Sequence, residues 1–310
     1  MSKVAIIDLG TNTFNLLVAE IENSKPYKIL LSTKLPVKIG EGGLAKNYIT
    51  EAAFERGIKA IEQHLSNASR FKPEKIFAFA TSAVRSAENG KEFANAIKQC
   101  FNIDIAIING DREAELIYKG VREAIPLSNQ RSLIMDVGGG STEFIIGNKN
   151  EIFWKYSFNL GVARLLEKFN PSDPILPGEI ENIRHYLKTE LNPLFRALEN
   201  FPVEELIGSS GSFDSLAEMI AYKFYNPEIL NNTTHYTFKL EDFYHIHEIL
   251  IKSTKADRMN MKGLVSMRVD MIVISSIFIE FILHECNLKK MRLSTYSLKE
   301  GVLAEICNSK

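Results

Sequence analysis

The chain has 310 residues, 45% of them apolar and 24% charged, an ordinary globular composition with length for two buried cores. Its 37 basic and 38 acidic side chains leave a net charge of −1. That excludes bulk electrostatic attraction to nucleic acid or an anionic membrane, so a polyanionic partner must be met by a local cationic cluster.

Residues 3–9 and 15–22 are apolar and β-branched with a Gly/Thr/Asn turn between them, which predicts a hairpin, and 27–33 predicts a third strand. A glycine-rich loop (39–47) follows, then a helix capped by Thr50. The segment 76–81 reads as a short buried strand, 91–100 as a helix, 103–109 as a strand and 111–125 as a helix. The pattern then restarts, with strands at 133–137 and 143–149 around a triple-glycine turn, a third strand at 151–160 and a helix from Gly161. Another helix is expected from Gly178 through Leu198, then a strand end, a Gly/Ser turn and a helix start at 205–220. Mostly helix is expected beyond, with a Thr254/Asp257 capping box, an apolar helix over 269–285 and a closing strand and helix. The apolar stretch 271–283 is broken by Glu280 and is too short to span a bilayer. The start of the chain reads as a strand and not as a signal peptide. Cys100, Cys286 and Cys307 lack disulfide or metal spacing. A cytoplasmic protein without membrane or nucleic-acid partners is expected.

Alternating strands and helices predict an α/β fold. Aligning Asp8 with Asp136 places Gly10 on Gly138, Thr13 on Ser141 and 16–18 on 144–146. Two related halves, each opening with a hairpin, predict a duplicated domain with a ligand cleft between the copies.

Adjacent glycines can aim several backbone N–H groups at one anion, and Ser141 and Thr142 add hydroxyls to Gly138, Gly139 and Gly140. Carboxylates beside a phosphate require a reason, and a divalent cation held near Asp136 and Glu143 supplies one. Arg85, beyond a strand end, is either a bidentate phosphate ligand or a solvated loop residue. Glu113 near the start of a helix is either a general base or a side chain answering the helix dipole. The turn at 207–212 is either an anion site or a plain cap. Arg164 and Arg268 are further cationic candidates, and with Lys38, Arg85 and Arg112 they are the expected positive lining. His245 and His247, two apart on a helix, read as structural. No P-loop, nucleophile elbow or Rossmann fingerprint is present.

The phrases AIIDLGTNTFNLLVAE (5–20), ATSAVRSAENG (80–90), INGDREAELIYKGV (108–121), IMDVGGGSTEFIIG (134–147), NLGVARLLEKF (159–169), IGSSGSFDSLAEM (207–219) and STYSLKEGVLAEI (294–306) together resemble the Ppx/GppA family of exopolyphosphatases and guanosine-pentaphosphatases. The resemblance spans nearly the whole chain. It implies two duplicated actin-like (ribonuclease H-like) domains with an interdomain active-site cleft, residues 1–124 plus 297–310 forming the first and 125–296 the second. It implies a Mg²⁺-dependent hydrolase, with Mn²⁺ as the other candidate ion, acting on polyphosphate or guanosine pentaphosphate, and a homodimer. Residue by residue, Asp8 with Gly10, Thr11, Asn12 and Thr13 corresponds to the first phosphate loop, and Gly138 to Ser141 to the second. Arg85 corresponds to a phosphate-contacting arginine, Glu113 to the catalytic base, and Asp136 and Glu143 to the metal-associated acids. Gly208, Ser209, Gly211 and Ser212 fall where actin-like relatives hold nucleotide. Asn15 and Lys38 stand where many members carry arginine, and the chain resembles the short two-domain members. A nucleotide-binding sensor without turnover and an actin-like ATPase or kinase are the alternatives.

Overall fold

The computed structural model describes residues 2–22 and 25–308. In the first half, β1 (Ser2–Leu9), β2 (Thr13–Glu22) and β3 (Lys25–Pro36) form an antiparallel meander. After α1 (Glu51–Ser69), β4 (Lys75–Ala80) lies parallel to β1; α2 (Ser82–Ser86) and α3 (Gly90–Phe101) lead to β5 (Ile105–Ile107), parallel to β4. The order is β3-β2-β1-β4-β5, and α4 (Gly110–Ala124) leaves its edge.

The second half repeats this plan. β6 (Ser132–Val137), β7 (Thr142–Gly147) and β8 (Ile152–Phe158) form the meander. Helices α5 (Val162–Phe169), α6 (Pro177–Glu190) and α7 (Asn192–Asn200) precede β9 (Leu206–Ser209), parallel to β6. Then come α8 (Gly211–Phe224), β10 (His235–Phe238), α9 (Leu240–Lys252), α10 (Lys255–Met259), α11 (Ile272–Glu285), β11 (Met291–Ser294) and α12 (Leu298–Asn308). The sheet order is β8-β7-β6-β9-β11-β10, the first half's order with β10 added at the edge. This is a duplicated α/β fold of two like-built halves.

Local chemistry explains most boundaries. Thr50 caps α1 by accepting from the Ala53 amide, and Thr254 and Asp257 form the reciprocal capping box of α10. The helix expected from Gly178 through Leu198 is two helices, α6 and α7. Pro193 has no amide hydrogen to continue the ladder, and its ring crowds the preceding turn. The apolar helix expected from 269 begins only at Ile272, after a 3-10 turn at Ser266–Arg268. β10 is a four-residue edge strand inside the region expected to be helical.

Side-chain alternation then sorts the core into layers. On β1, Ala5, Ile7 and Leu9 pack outward against α1 and α3, while Val4 and Ile6 point inward. On β6 and β7, Leu133, Met135, Phe144 and Ile146 pack outward, and Ile134 and Ile145 point inward. The inward faces meet Leu116, Ile117 and Val121 of α4 and Leu298, Val302 and Leu303 of α12. These two helices therefore fill a core shared by both sheets. Asp8 continues the inward parity of Val4 and Ile6, as Asp136 does for Ile134 and Glu143 for Ile145. The strands deliver three carboxylates to the layer that holds Glu113 on α4.

Candidate active site

The β1–β2 and β6–β7 turns are built alike. The Gly10 amide donates to the Thr13 carbonyl at 3.1 Å, and the Gly138 amide to the Ser141 carbonyl at 3.0 Å. A Cβ at either glycine would lie 2.9 or 2.8 Å from that carbonyl, so turns this tight need glycine. The turns also meet each other. A Cβ on Gly139 would fall 2.4 Å from Asn12 Nδ2, and one on Gly140 2.7 Å from Thr11 Oγ1. Between them opens a cleft of about 380 Å³.

Five carboxylates line this cleft: Asp8, Glu113, Asp136, Glu143 and, in the first turn of α8, Asp214. Asp136 and Glu143 are direct cross-strand partners at the ends of β6 and β7. Their hydrogen-bond donors are hydroxyls: Ser297 for Asp136, and Ser141 (2.7 Å) and Ser157 (2.6 Å) for Glu143. Asp8 accepts from Asn15 Nδ2 at 2.9 Å. Among the described residues, none of Asp8, Asp136 and Glu143 forms an ion pair. Burial raises all three, opposed by the hydroxyl and amide donors. Asp8 reaches about 6, Glu143 reaches about 7 with the field of Asp136 adding to burial, and Asp136 rises as well. Carboxylates so placed, with oxygen neighbours and no ion pair among the described residues, fit a hard divalent ion. No group of three or more His, Cys, Asp or Glu side chains among the described residues is arranged around one point. An ion here would complete its shell with water and substrate oxygens, the usual habit of Mg²⁺.

Glu113 is buried and paired at 2.6 Å with Arg85, whose Nη1 also donates to the Ile108 carbonyl. Burial, then the charge of Glu143, pushes Glu113 well above the ordinary carboxylate range, and Arg85 opposes the shift. Arg268 also lines the cleft; it is nine-tenths buried, feels the charges of Asp214 and Asp136, and makes no side-chain hydrogen bond or ion pair among the described residues. It lies over Gly211, where a Cβ would be 2.0 Å from Nη2, so the missing side chain at 211 is what seats the guanidinium. Beside it, Ser210 holds φ at +77°, a region that an L side chain rarely adopts, and donates to the Val137 carbonyl at 3.0 Å.

The Ppx/GppA phosphatase family sequence pattern matches residues 17–310. The chain belongs to that family. A crystal structure of an exopolyphosphatase from Cytophaga hutchinsonii superimposes with a TM-score of 0.96 at 39% identity, over 99% of this chain and 98% of that one. Exopolyphosphatase 1 of Mycobacterium tuberculosis is 25% identical over 99% of this chain and 89% of its own. The PPX-GPPA enzyme of Aquifex aeolicus shares the fold, with a TM-score of 0.80 at 23% identity over 98% and 99% of the two chains. The protein is thus a hydrolase of the Ppx/GppA kind.

The family motifs converge on the cleft only in part. Gly10, Thr11, Asn12, Thr13, Gly138, Gly139, Gly140, Ser141, Gly211 and Arg268 line it with the five acids. Thr142 does not, because its hydroxyl is buried against the Leu160 carbonyl. Ser209 donates to the Tyr296 carbonyl, tying β9 to the segment after β11, and Ser212 bonds Ser275, tying α8 to α11. Gly208 is small because the Phe213 ring occupies its Cβ position. Arg85 stands behind Glu113 and does not line the cleft. Arg112 pairs with Glu305 on α12, and Arg164 donates to the Leu44 and Gly140 carbonyls. Lys38 borders a neighbouring cavity, 3.9 Å from Asp270. The cations that do line the cleft beside Arg268 are Lys34 and Lys299, which sequence reasoning missed. Lys299 lies in the quoted phrase STYSLKEG, and only its place after the central strand β11 would have singled it out. His247 is buried against Phe243 and bonds Ser276, a structural role.

Proposed function

We propose that the protein is an exopolyphosphatase that releases the terminal phosphate of inorganic polyphosphate by attack of water on the last phosphoanhydride. The observation that carries this reading is the meeting of two like-built glycine turns over a cluster of carboxylates, of which Glu113, Asp136 and Glu143 are buried, with Arg268 lining the same cleft. Two names among the relatives, in Cytophaga hutchinsonii and Mycobacterium tuberculosis, point the same way.

In this reading, amides and hydroxyls of the two turns hold the terminal phosphate oxygens, and Arg268 meets the phosphate behind them. Glu113 orients a water and takes its proton while the water oxygen bonds to phosphorus. The bridging P–O bond breaks, releasing one phosphate and a chain shorter by one. A raised carboxyl suits this work, because a base titrating nearer neutrality accepts a proton more readily. Arg85 holds the Glu113 carboxylate in place. Asp136 and Glu143, with Asp8 beside them, would hold Mg²⁺ or Mn²⁺, which supplies positive charge to offset the phosphate oxygens. Positioning and electrostatics dominate phosphoryl transfer, so no covalent enzyme intermediate is needed. We place this activity in the cytoplasm; no helix among the described residues is long and apolar enough to cross a membrane.

A second substrate, guanosine pentaphosphate, is favoured by one feature. A cavity of about 510 Å³ adjoins the cleft at Asn12, with Leu44, Leu166, Ile175, Met271 and Ile274 on its walls. An inorganic chain has no use for apolar walls, whereas a nucleoside does. The deciding experiment measures Mg²⁺-dependent phosphate release from both substrates by wild type and Glu113→Gln. Wild type should release phosphate, and the variant should lose about 10²–10⁴-fold in rate while still binding substrate. Equal rates in the two proteins would remove Glu113 from the reaction.

A further inference from the structure

Ser82 has no task in the scheme above, yet it is 2% exposed and lines the cleft. Its Oγ has no hydrogen-bond partner among the described residues. Buried hydroxyls are nearly always paired, so an orphan needs an account. Four buried side-chain polar atoms share this condition among the described residues, and those of Ser82 and Thr33 belong to residues lining this one cleft. The concentration suggests that the cleft, rather than the fold, uses them.

The position is specific. A Cβ on Gly140 would lie 2.7 Å from Ser82 Oγ and 2.7 Å from Thr11 Oγ1, so two hydroxyls from the first half converge on the middle of the second half's glycine turn. Ser82 opens α2 directly after β4, and Arg85, three residues on, pairs with Glu113. One short segment thus brings a hydroxyl to the glycine turns and a guanidinium to the proposed base.

We propose that Ser82 is a substrate-contacting residue whose hydroxyl donates to an oxygen of the bound terminal phosphate. This rests on reading the cleft as a phosphate site. An anionic oxygen is the ligand chemistry such a donor meets best, since charge-assisted hydrogen bonds are the strong ones. A purely structural Ser82 makes the opposite forecast. With no partner inside the protein to lose, its removal would leave function untouched.

The test compares wild type and Ser82→Ala as full-length chains in three measurements. These are thermal unfolding without ligand, tripolyphosphate affinity by calorimetry in a Glu113→Gln background, and kcat/KM for polyphosphate. We expect Tm unchanged or higher, and both affinity and kcat/KM lower by about 10- to 100-fold, the effect of one hydrogen bond to a charged group. Unchanged affinity and kcat/KM would overturn the Ser82 contact and leave the hydrolase reading standing. A clearly lower Tm without ligand would make Ser82 structural and also overturn it. Tripolyphosphate binding that Ser82→Ala weakens, in a protein that releases no phosphate, would keep the contact and remove the hydrolase reading. Failure of wild type to bind tripolyphosphate at all would remove both.

Discussion

Arg85 shows how a residue singled out by its chemistry takes its partners from the fold. Its position past a strand end suggested a phosphate ligand, but the guanidinium is spent on Glu113 at 2.6 Å and on the Ile108 carbonyl. Its expected influence is therefore on the base. Arg85 lowers the Glu113 pKa against the larger effects of burial and Glu143. Removing it should raise that pKa, so the base is protonated to higher pH. The acidic limb of the kcat/KM–pH profile of Arg85→Gln should thus move to higher pH, with KM changed less than kcat. An unmoved limb with a raised KM would return Arg85 to the role of substrate ligand. The hydroxyls carry the same lesson. Ser141 and Thr142 are adjacent in one glycine-rich phrase, yet strand alternation turns Ser141 to Glu143 and Thr142 to the Leu160 carbonyl.

Among the elements, the crossing of α4 and α12 matters most for the cleft. A Cβ on Gly301 would lie 1.8 Å from the Leu116 carbonyl, and one on Gly120 2.0 Å from the Ser297 carbonyl. The two backbones touch because both helices lack a side chain at the contact, and this closeness puts Ser297 in hydrogen-bond contact with Asp136. Gly301→Ala should cost about 1–3 kcal/mol, the usual penalty of overpacking. Urea unfolding would register it as a lower midpoint at unchanged slope. Phosphate release should fall with it, and a variant as stable as wild type would mean that the helices can separate freely. Most elements were legible as periodic runs with caps. The exceptions were β10, too short to show a period, the α6–α7 break at Pro193, and α2, whose five residues looked like loop.

For the whole molecule, the raised acids should make stability depend on pH and, if they hold the proposed ion, on divalent cation. A carboxyl raised in the folded state favours folding while protonated. That contribution is present below the unfolded value near 4 and is lost as pH rises through the folded value. With Asp8 at about 6 and Glu143 at about 7, the Tm of protein stripped of divalent ions should fall between about pH 5 and pH 8. Mg²⁺ should raise Tm, and more at pH 8 than at pH 5, because the ion binds the ionised acids. A Mg²⁺ effect independent of pH would argue against Asp136, Glu143 and Asp8 as its holders.

By itself the sequence determined the duplication, through Asp8/Gly10 and Asp136/Gly138 at matching offsets, and with it the two hairpins and the family. Those features are local, since a glycine turn between alternating strands depends on neighbours within ten residues. Only the tertiary structure decided which side chains share the cleft. It put Lys299 beside Asp8, sent Arg112 to Glu305, tied Ser209 to the Tyr296 carbonyl and Ser212 to Ser275, and left Ser82 Oγ facing the glycine turns without a partner among the described residues. The physical reason is that these placements follow from how two sheets close around α4 and α12. That packing joins residues far apart in the chain, and no local pattern encodes it.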